Sequence, residues 1–119
     1  MWRHPELVSG SARRSMKIGY VYIMSNVKRT TFYIGVTSDL EARVAQHKAG
    51  VGSTFTSKYK LFDLVYFERI FGIDQAINRE KQLKRRHRDW KINLIKSVNP
   101  EMLDLINIGL PADPETSSG

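Results

Sequence analysis

Hydrophobic and polar positions change their period along this chain, and each change marks an element. Between residues 19 and 35, two runs rich in aromatic and β-branched residues, Tyr20-Val21-Tyr22 and Phe32-Tyr33-Ile34-Gly35, flank the segment Ser25-Asn26-Val27-Lys28-Arg29-Thr30. Runs of that composition read as strands, and turn residues with charge between them make the pair a β-hairpin. Strand alternation puts Tyr20, Tyr22 and Met24 on one face and Val21 and Ile23 on the other. Tyr33 and Gly35 share a face. A glycine inside a strand leaves room for another backbone or a ligand.

The period then turns helical. Ser38-Asp39-Leu40-Glu41 has the form of a capping box, with Ser38 as the cap and Glu41 three positions on. Leu40, Val44 and Val51 fall on one stripe at about 100° per residue. Arg43 and His47 lie on or beside that stripe, one turn apart. A buried arginine is costly without a partner. Taken alone, the pair reads as a snorkelling arginine and a hydrogen-bonded core histidine. Residues 49–60 read as a loop rich in Gly, Ser and Thr that holds Phe55, Lys58, Tyr59 and Lys60. Aromatics among lysines suit base stacking with phosphate contact, and equally a loop pinned by its own rings. Residues 61–71 read as a third strand.

A second helix opens at Gly72-Ile73-Asp74, with Asp74 as the expected cap and Ile73, Ala76, Ile77 and Leu83 as its apolar stripe. Glu80 falls inside that stripe, between Ala76 and Ile77. A carboxylate there calls for a cation or a metal. From the residue alone, a structural ion pair, with Arg43 a candidate partner, is the plainer reading. Residues 81–91 carry six Lys and Arg against Asp89. Such a run is usually a solvated face; beside Glu80 it suits phosphate tracking, with Lys84, Arg85 and Arg88 as the contacts and Lys58 as another. A further helix places Trp90, Leu94 and Ser97 on one side. Pro100 suits the start of a short last helix over residues 101–107.

Composition narrows the partners. Nineteen Lys and Arg against twelve Asp and Glu give a net charge of +7, a balance that favours a polyanion. There is no cysteine, so neither a disulfide nor a thiolate metal site is available. His4, His47 and His87 are too scattered for a zinc cluster. No apolar run reaches membrane-spanning length. Residues 1–15 have no period and no apolar signal core, and read as a disordered leader; residues 110–119 read as a flexible tail. A cytoplasmic location is the resulting expectation.

Together these pieces resemble the GIY-YIG nuclease domain, and specifically its small bacterial stand-alone members. Tyr20-Val21-Tyr22 stands where the first motif falls, and Tyr33-Ile34-Gly35 is the second motif letter for letter. Arg43 and His47 follow at the family's spacing. Ser53-Thr54-Phe55-Thr56-Ser57-Lys58-Tyr59, Arg79-Glu80-Lys81-Gln82-Leu83-Lys84 and Asn99-Pro100-Glu101 continue the likeness. It covers about residues 18–106. A lone Tyr-Ile-Gly would be weak, but with the other pieces in order beside it the match is strong.

The resemblance implies a metal-dependent endonuclease acting on DNA, with structured or damaged DNA among its candidate substrates. It implies one Mg²⁺ (or Mn²⁺) held by Glu80 and the substrate phosphate, Arg43 bracing the phosphate, Tyr22 as general base and Tyr33 as its partner. The two tyrosine roles could be exchanged. His47 would relay a proton or bond a tyrosine hydroxyl. A phenol with a pKa near 10 is about one part in a thousand ionised at neutral pH, so a tyrosine base needs cations to lower it. The chain departs from the family at Tyr20, where glycine is common, and at Met102 and Leu103, where many relatives carry tryptophan and asparagine. Asn93 or Asn99 would then substitute, or activity would fall. The expected fold is α/β (α+β), a three-stranded, mainly antiparallel sheet flanked by helices, over residues 16–109. A catalytically weak or inactive nucleic-acid-binding module, and a domain recruited by a protein partner, are the rival readings.

Overall fold

The computed structural model describes residues 17–106. The leader expected over 1–15 and the tail expected over 110–119 lie outside the described residues. Strand β1 (Ile18–Ser25) and β2 (Phe32–Thr37) form the hairpin; helix α1 (Leu40–Lys48) and a short helix α2 (Thr54–Lys58) follow. Strand β3 (Asp63–Phe71), α3 (Ile73–Lys84) and α4 (Arg88–Val98) complete the element order. The sheet has three strands in the order β2-β1-β3, antiparallel throughout, as expected.

The alternation read from β1 is the organising fact. Val21 and Ile23 pack with Ile34, Ala76, Leu83 and Ile95 beneath α3 and α4. Tyr22 and Met24 face the other way, onto Leu40, Val44 and Leu61 beside α1. Helices thus cover both faces of a small sheet, which gives each face a dry partner. Pairing to β3 slips between Ile23 and Met24, where Ile23 opposes Tyr66 and Met24 opposes Leu64. The extra residue, Val65, joins Tyr66 in the first cluster while Leu64 turns to the second. That is how a bulge re-aims side chains.

Several local expectations are corrected. The α1 cap is Asp39, not Ser38: its carboxylate accepts from the Ala42 N–H at 3.2 Å. Asp and Ser cap equally well, and Glu41 then lies in the first turn, where its charge complements the dipole. Val51 lies beyond the end of α1 and is 72% exposed, so the buried stripe is Leu40, Val44 and His47. The stretch read as a loop holds α2, whose cap is the Ser53 hydroxyl. Gly72, at φ 99°, takes the cap position of α3, and Asp74 sits in its first turn.

No helix forms after Pro100 among the described residues. The Asn99 side chain donates to Val65 O and Leu103 O at 2.9 Å each and accepts from Leu103 N. Met102 turns through a positive φ of 51°. Asp104 then accepts from Leu64 N and pairs with Lys48, while Leu105 N bonds Leu64 O. The segment is a clasp on β3. An edge strand needs such cover.

Candidate active site

Three elements, β1, β2 and α1, meet at the hydroxyl of Tyr22. Tyr22 sits mid-way along β1, 1% exposed, directly opposite Gly35 of β2. A Cβ at Gly35 would lie 2.5 Å from the Tyr22 ring end, so the glycine of Tyr33-Ile34-Gly35 is the hollow that admits the ring. One turn of α1 separates Arg43 from His47, which puts both side chains on the same side of the helix. His47 Nε2 lies 2.9 Å from the Tyr22 oxygen, and Arg43 Nε donates to that oxygen at 3.4 Å. Arg43 is steadied by a 2.8 Å bond from its Nη1 to Gln46.

His47 is fully buried. Its Nδ1 lies 2.9 Å from the hydroxyl of Thr56, also fully buried, which lies 2.9 Å from the hydroxyl of Ser53. Gly52 packs on the same imidazole edge, where any Cβ would overlap Nδ1. Tyr33 is half-buried; its ring centroid is 5.5 Å from His47 and 6.3 Å from Tyr22. The rings continue outward through Phe55, 6.2 Å from Tyr33, to Tyr59, 4.8 Å further on. Lys58 lies 5.4 Å over the Tyr59 ring.

Burial sets the proton affinities. The Tyr22 phenol is pushed up to about 12, by desolvation first, with Tyr33 and Glu80 adding to the push and Arg43 opposing it. The expected lowering by cations is therefore outweighed, because the hydroxyl is dry. His47 is lowered to about 4, by burial first and then by Arg43. At neutral pH the pair is a protonated phenol facing a neutral imidazole.

Glu80 is 14% exposed, as its place on the α3 stripe suggests, but its partner is not Arg43. Its Oε2 pairs with Lys84 at 2.8 Å, one turn along α3. Its charge is still felt at Tyr22. Arg85 is exposed at the end of α3. Arg88 does not stand free in solvent: it donates to Thr30 O at 2.5 Å and lies 5.4 Å over the Phe32 ring. Asn99 is consumed by the C-terminal clasp and Asn93 is exposed on α4, so neither stands in for an asparagine at the tyrosines.

The sequence reading missed Thr56 and Ser53 as the support of His47. The only signal was their three-residue spacing, which suits a helix cap. It also missed Glu68, to which Arg79 donates twice at 2.9 Å and Tyr66 once at 2.5 Å. Burial works against the Glu68 charge, but the bonds from Arg79 and Tyr66 outweigh it and hold the carboxyl below its usual range.

Among the described residues no three His, Cys, Asp or Glu gather as a ligand set. A closed protein cage is therefore not on offer there. The sheltered Glu80 carboxylate near Tyr22 would suit a hard cation that takes its remaining ligands from water and phosphate. Among the described residues no helix is long and apolar enough to cross a membrane.

Comparison with known proteins agrees with this geometry. The family model described as the GIY-YIG catalytic domain matches residues 18–93. A UPF0213 protein of Staphylococcus haemolyticus is 36% identical over 77 residues, which cover 65% of this chain and 93% of that protein. Another, from Syntrophus aciditrophicus, is 34% identical over 89 residues, covering 74% and 100%. One from Natronomonas pharaonis is 37% identical over 76 residues, covering 64% and 88%. No solved structure matches. With the two motif tyrosines, the arginine and the histidine meeting around one buried hydroxyl, the chain belongs to the GIY-YIG nuclease family.

Proposed function

We propose that this protein is a metal-dependent endonuclease that hydrolyses phosphodiester bonds in DNA, with structured or damaged DNA as the substrate class. The observation that carries the reading is the 2.9 Å bond between the Tyr22 hydroxyl and His47 Nε2, with Arg43 on the same oxygen.

Hydrolysis needs a deprotonated water, charge stabilisation on phosphorus and help for the leaving oxygen. A phenol at about 12 costs about 7 kcal/mol to ionise at neutral pH, at roughly 1.36 kcal/mol per unit. Tyr22 therefore does not wait as a phenolate. It takes a proton from water as it passes its own to His47, and the water oxygen bonds phosphorus while the ester oxygen leaves. The neutral His47 has the vacant lone pair this transfer requires. An anionic phosphate beside Arg43 offsets the charge that, after burial, depresses His47, and so strengthens its hold on the proton. Arg43 braces the charge developing on the phosphate through charge-assisted bonds. Tyr33, whose ring meets His47 and Tyr22, orients water or phosphate.

A divalent cation, Mg²⁺ or Mn²⁺, would be held by Glu80 and would supply Lewis-acid stabilisation of the phosphate and the leaving oxygen. Lys58, Lys84 and Arg85 supply sequence-independent attraction to the DNA backbone, with Arg88 at the rim of the same surface.

The test is a cleavage assay over duplex, single-stranded, flapped and branched DNA with Mg²⁺ or Mn²⁺. Cleavage that chelator abolishes is expected. Binding without cleavage on every substrate would leave a nucleic-acid-binding module, and cleavage indifferent to chelator would overturn the metal assignment.

A further inference from the structure

The Tyr22–His47 contact leaves open which imidazole nitrogen carries the hydrogen. The donor inventory around it favours one answer. Tyr22 has one hydrogen to give, and its two polar partners are Arg43 Nε and His47 Nε2. Arginine can only donate. Among these partners the phenolic hydrogen has one acceptor, His47 Nε2, and its donation there marks that nitrogen as the bare one. The hydrogen of the neutral ring then sits on Nδ1, and Thr56 Oγ1, 2.9 Å away, must accept it.

Thr56 is arranged to do so. Its hydroxyl hydrogen has an outlet at Ser53 O, 3.3 Å away. Its backbone N–H bonds the Ser53 hydroxyl at 3.1 Å, which fixes where the threonine stands. With that hydrogen spent on the carbonyl, the Thr56 oxygen presents lone pairs to His47. Gly52, with no side chain, lets the backbone close over the same edge of the ring. Thr56 and His47 are themselves both fully buried.

We propose that Thr56 is the positioning residue of this site: its hydroxyl accepts from Nδ1–H of His47 and so keeps Nε2 free to take the proton of Tyr22. The proposal rests on the nuclease reading for its consequence in turnover, but its structural half stands apart from activity. The logic is that of any base held in one tautomer by a group behind it.

The experiment is nitrogen-15 NMR of the imidazole nitrogens in the full chain without DNA, with His4 and His87 replaced by Gln so that only His47 is seen. Near neutral pH the wild-type ring should show a protonated Nδ1 and a bare Nε2. Thr56→Val keeps the shape and removes the hydroxyl; it should lose the fixed tautomer and slow cleavage by about ten- to hundredfold, the range for groups that orient a catalytic residue. Thr56→Ser should restore both. A protonated Nε2 in the wild type overturns the proposal, as does a Thr56→Val protein with unchanged tautomer and rate, or one slowed only in proportion to its unfolded fraction. If Thr56→Val does not fold, the wild-type tautomer and the Thr56→Ser rate decide. Should no DNA be cleaved at all, the proposed function fails while the tautomer still tests the role of Thr56.

Discussion

At Gly35 the space of a missing side chain is filled by the ring of Tyr22, whose far end is tied to His47 and Arg43. The ring cannot retreat without breaking those bonds. Gly35→Ala is therefore expected to cost about 1–3 kcal/mol, as overpacking does, and to reduce cleavage beyond the loss of folded protein; urea unfolding and rates on the same sample separate the two. His47 makes a second prediction. Its folded pKa, about 4, lies below an unfolded value of about 6.5, so the unfolded chain binds more protons between these limits. Its contribution is complete above about pH 6.5, falls by roughly 1.4 kcal/mol per unit on acidification, and is lost as pH passes about 4. Wild type should lose stability between pH 7 and 5 more steeply than His47→Gln, measured by chemical unfolding at each pH. At this scale the sequence marks Gly35 as a place of close approach. It does not show that Tyr22 is the visitor, because cross-strand register rests on the hairpin turn, where Arg29 adopts φ 59°. Thr56 is less visible still, since its meeting with His47 depends on how a nine-residue span folds back.

The helices were easier to read as faces than as ends. Wheel geometry correctly set Glu80 among Ala76, Leu83 and the half-buried Ile73 and Ile77. What a wheel cannot show is which neighbour bends over to meet a charge. Lys84, 54% exposed, does so. A pair of that kind, one turn apart and with its lysine open to water, contributes about 0.3–0.5 kcal/mol. That is far below the roughly 3–5 kcal/mol lost when a buried pair is broken. Glu80→Gln should consequently leave the melting temperature almost unchanged, keep DNA binding, and abolish metal-stimulated cleavage. A large drop in melting temperature would instead make Glu80 structural. Caps misled for a different reason. Ser38 and Asp39 are both good caps, and the choice fell to Asp39 because its own carboxylate reaches the Ala42 N–H.

Over the whole molecule, positive charge gathers along the end of α3 and the start of α4. Replacing Lys84, Arg85 and Arg88 with Ala should weaken DNA binding and flatten its salt dependence, by about one unit of slope for each phosphate that is no longer neutralised. Arg88 is bound to the hairpin through Thr30, so Arg88→Ala alone should change the slope least and the melting temperature most. An unchanged slope in the triple variant would make the run a solvated surface. The charge was visible from the sequence; the tether of Arg88 was not, because it joins residues 58 positions apart.

The clasp on β3 has a consequence in time. Lys48, at the end of the helix that carries Arg43 and His47, is held by Asp104, 56 positions later. The central strand β1 likewise waits for β3 before its second edge is paired. A chain emerging from the ribosome delivers its N-terminal part first, and contacts of such separation close slowly. Tyr22, Arg43 and His47 are thus synthesised early and locked late. A nascent chain halted before residue 104 would expose the tyrosines and the basic run without the finished geometry. The meeting of Tyr22, Arg43 and His47 would be completed only as Asp104 docks on Lys48 and on β3.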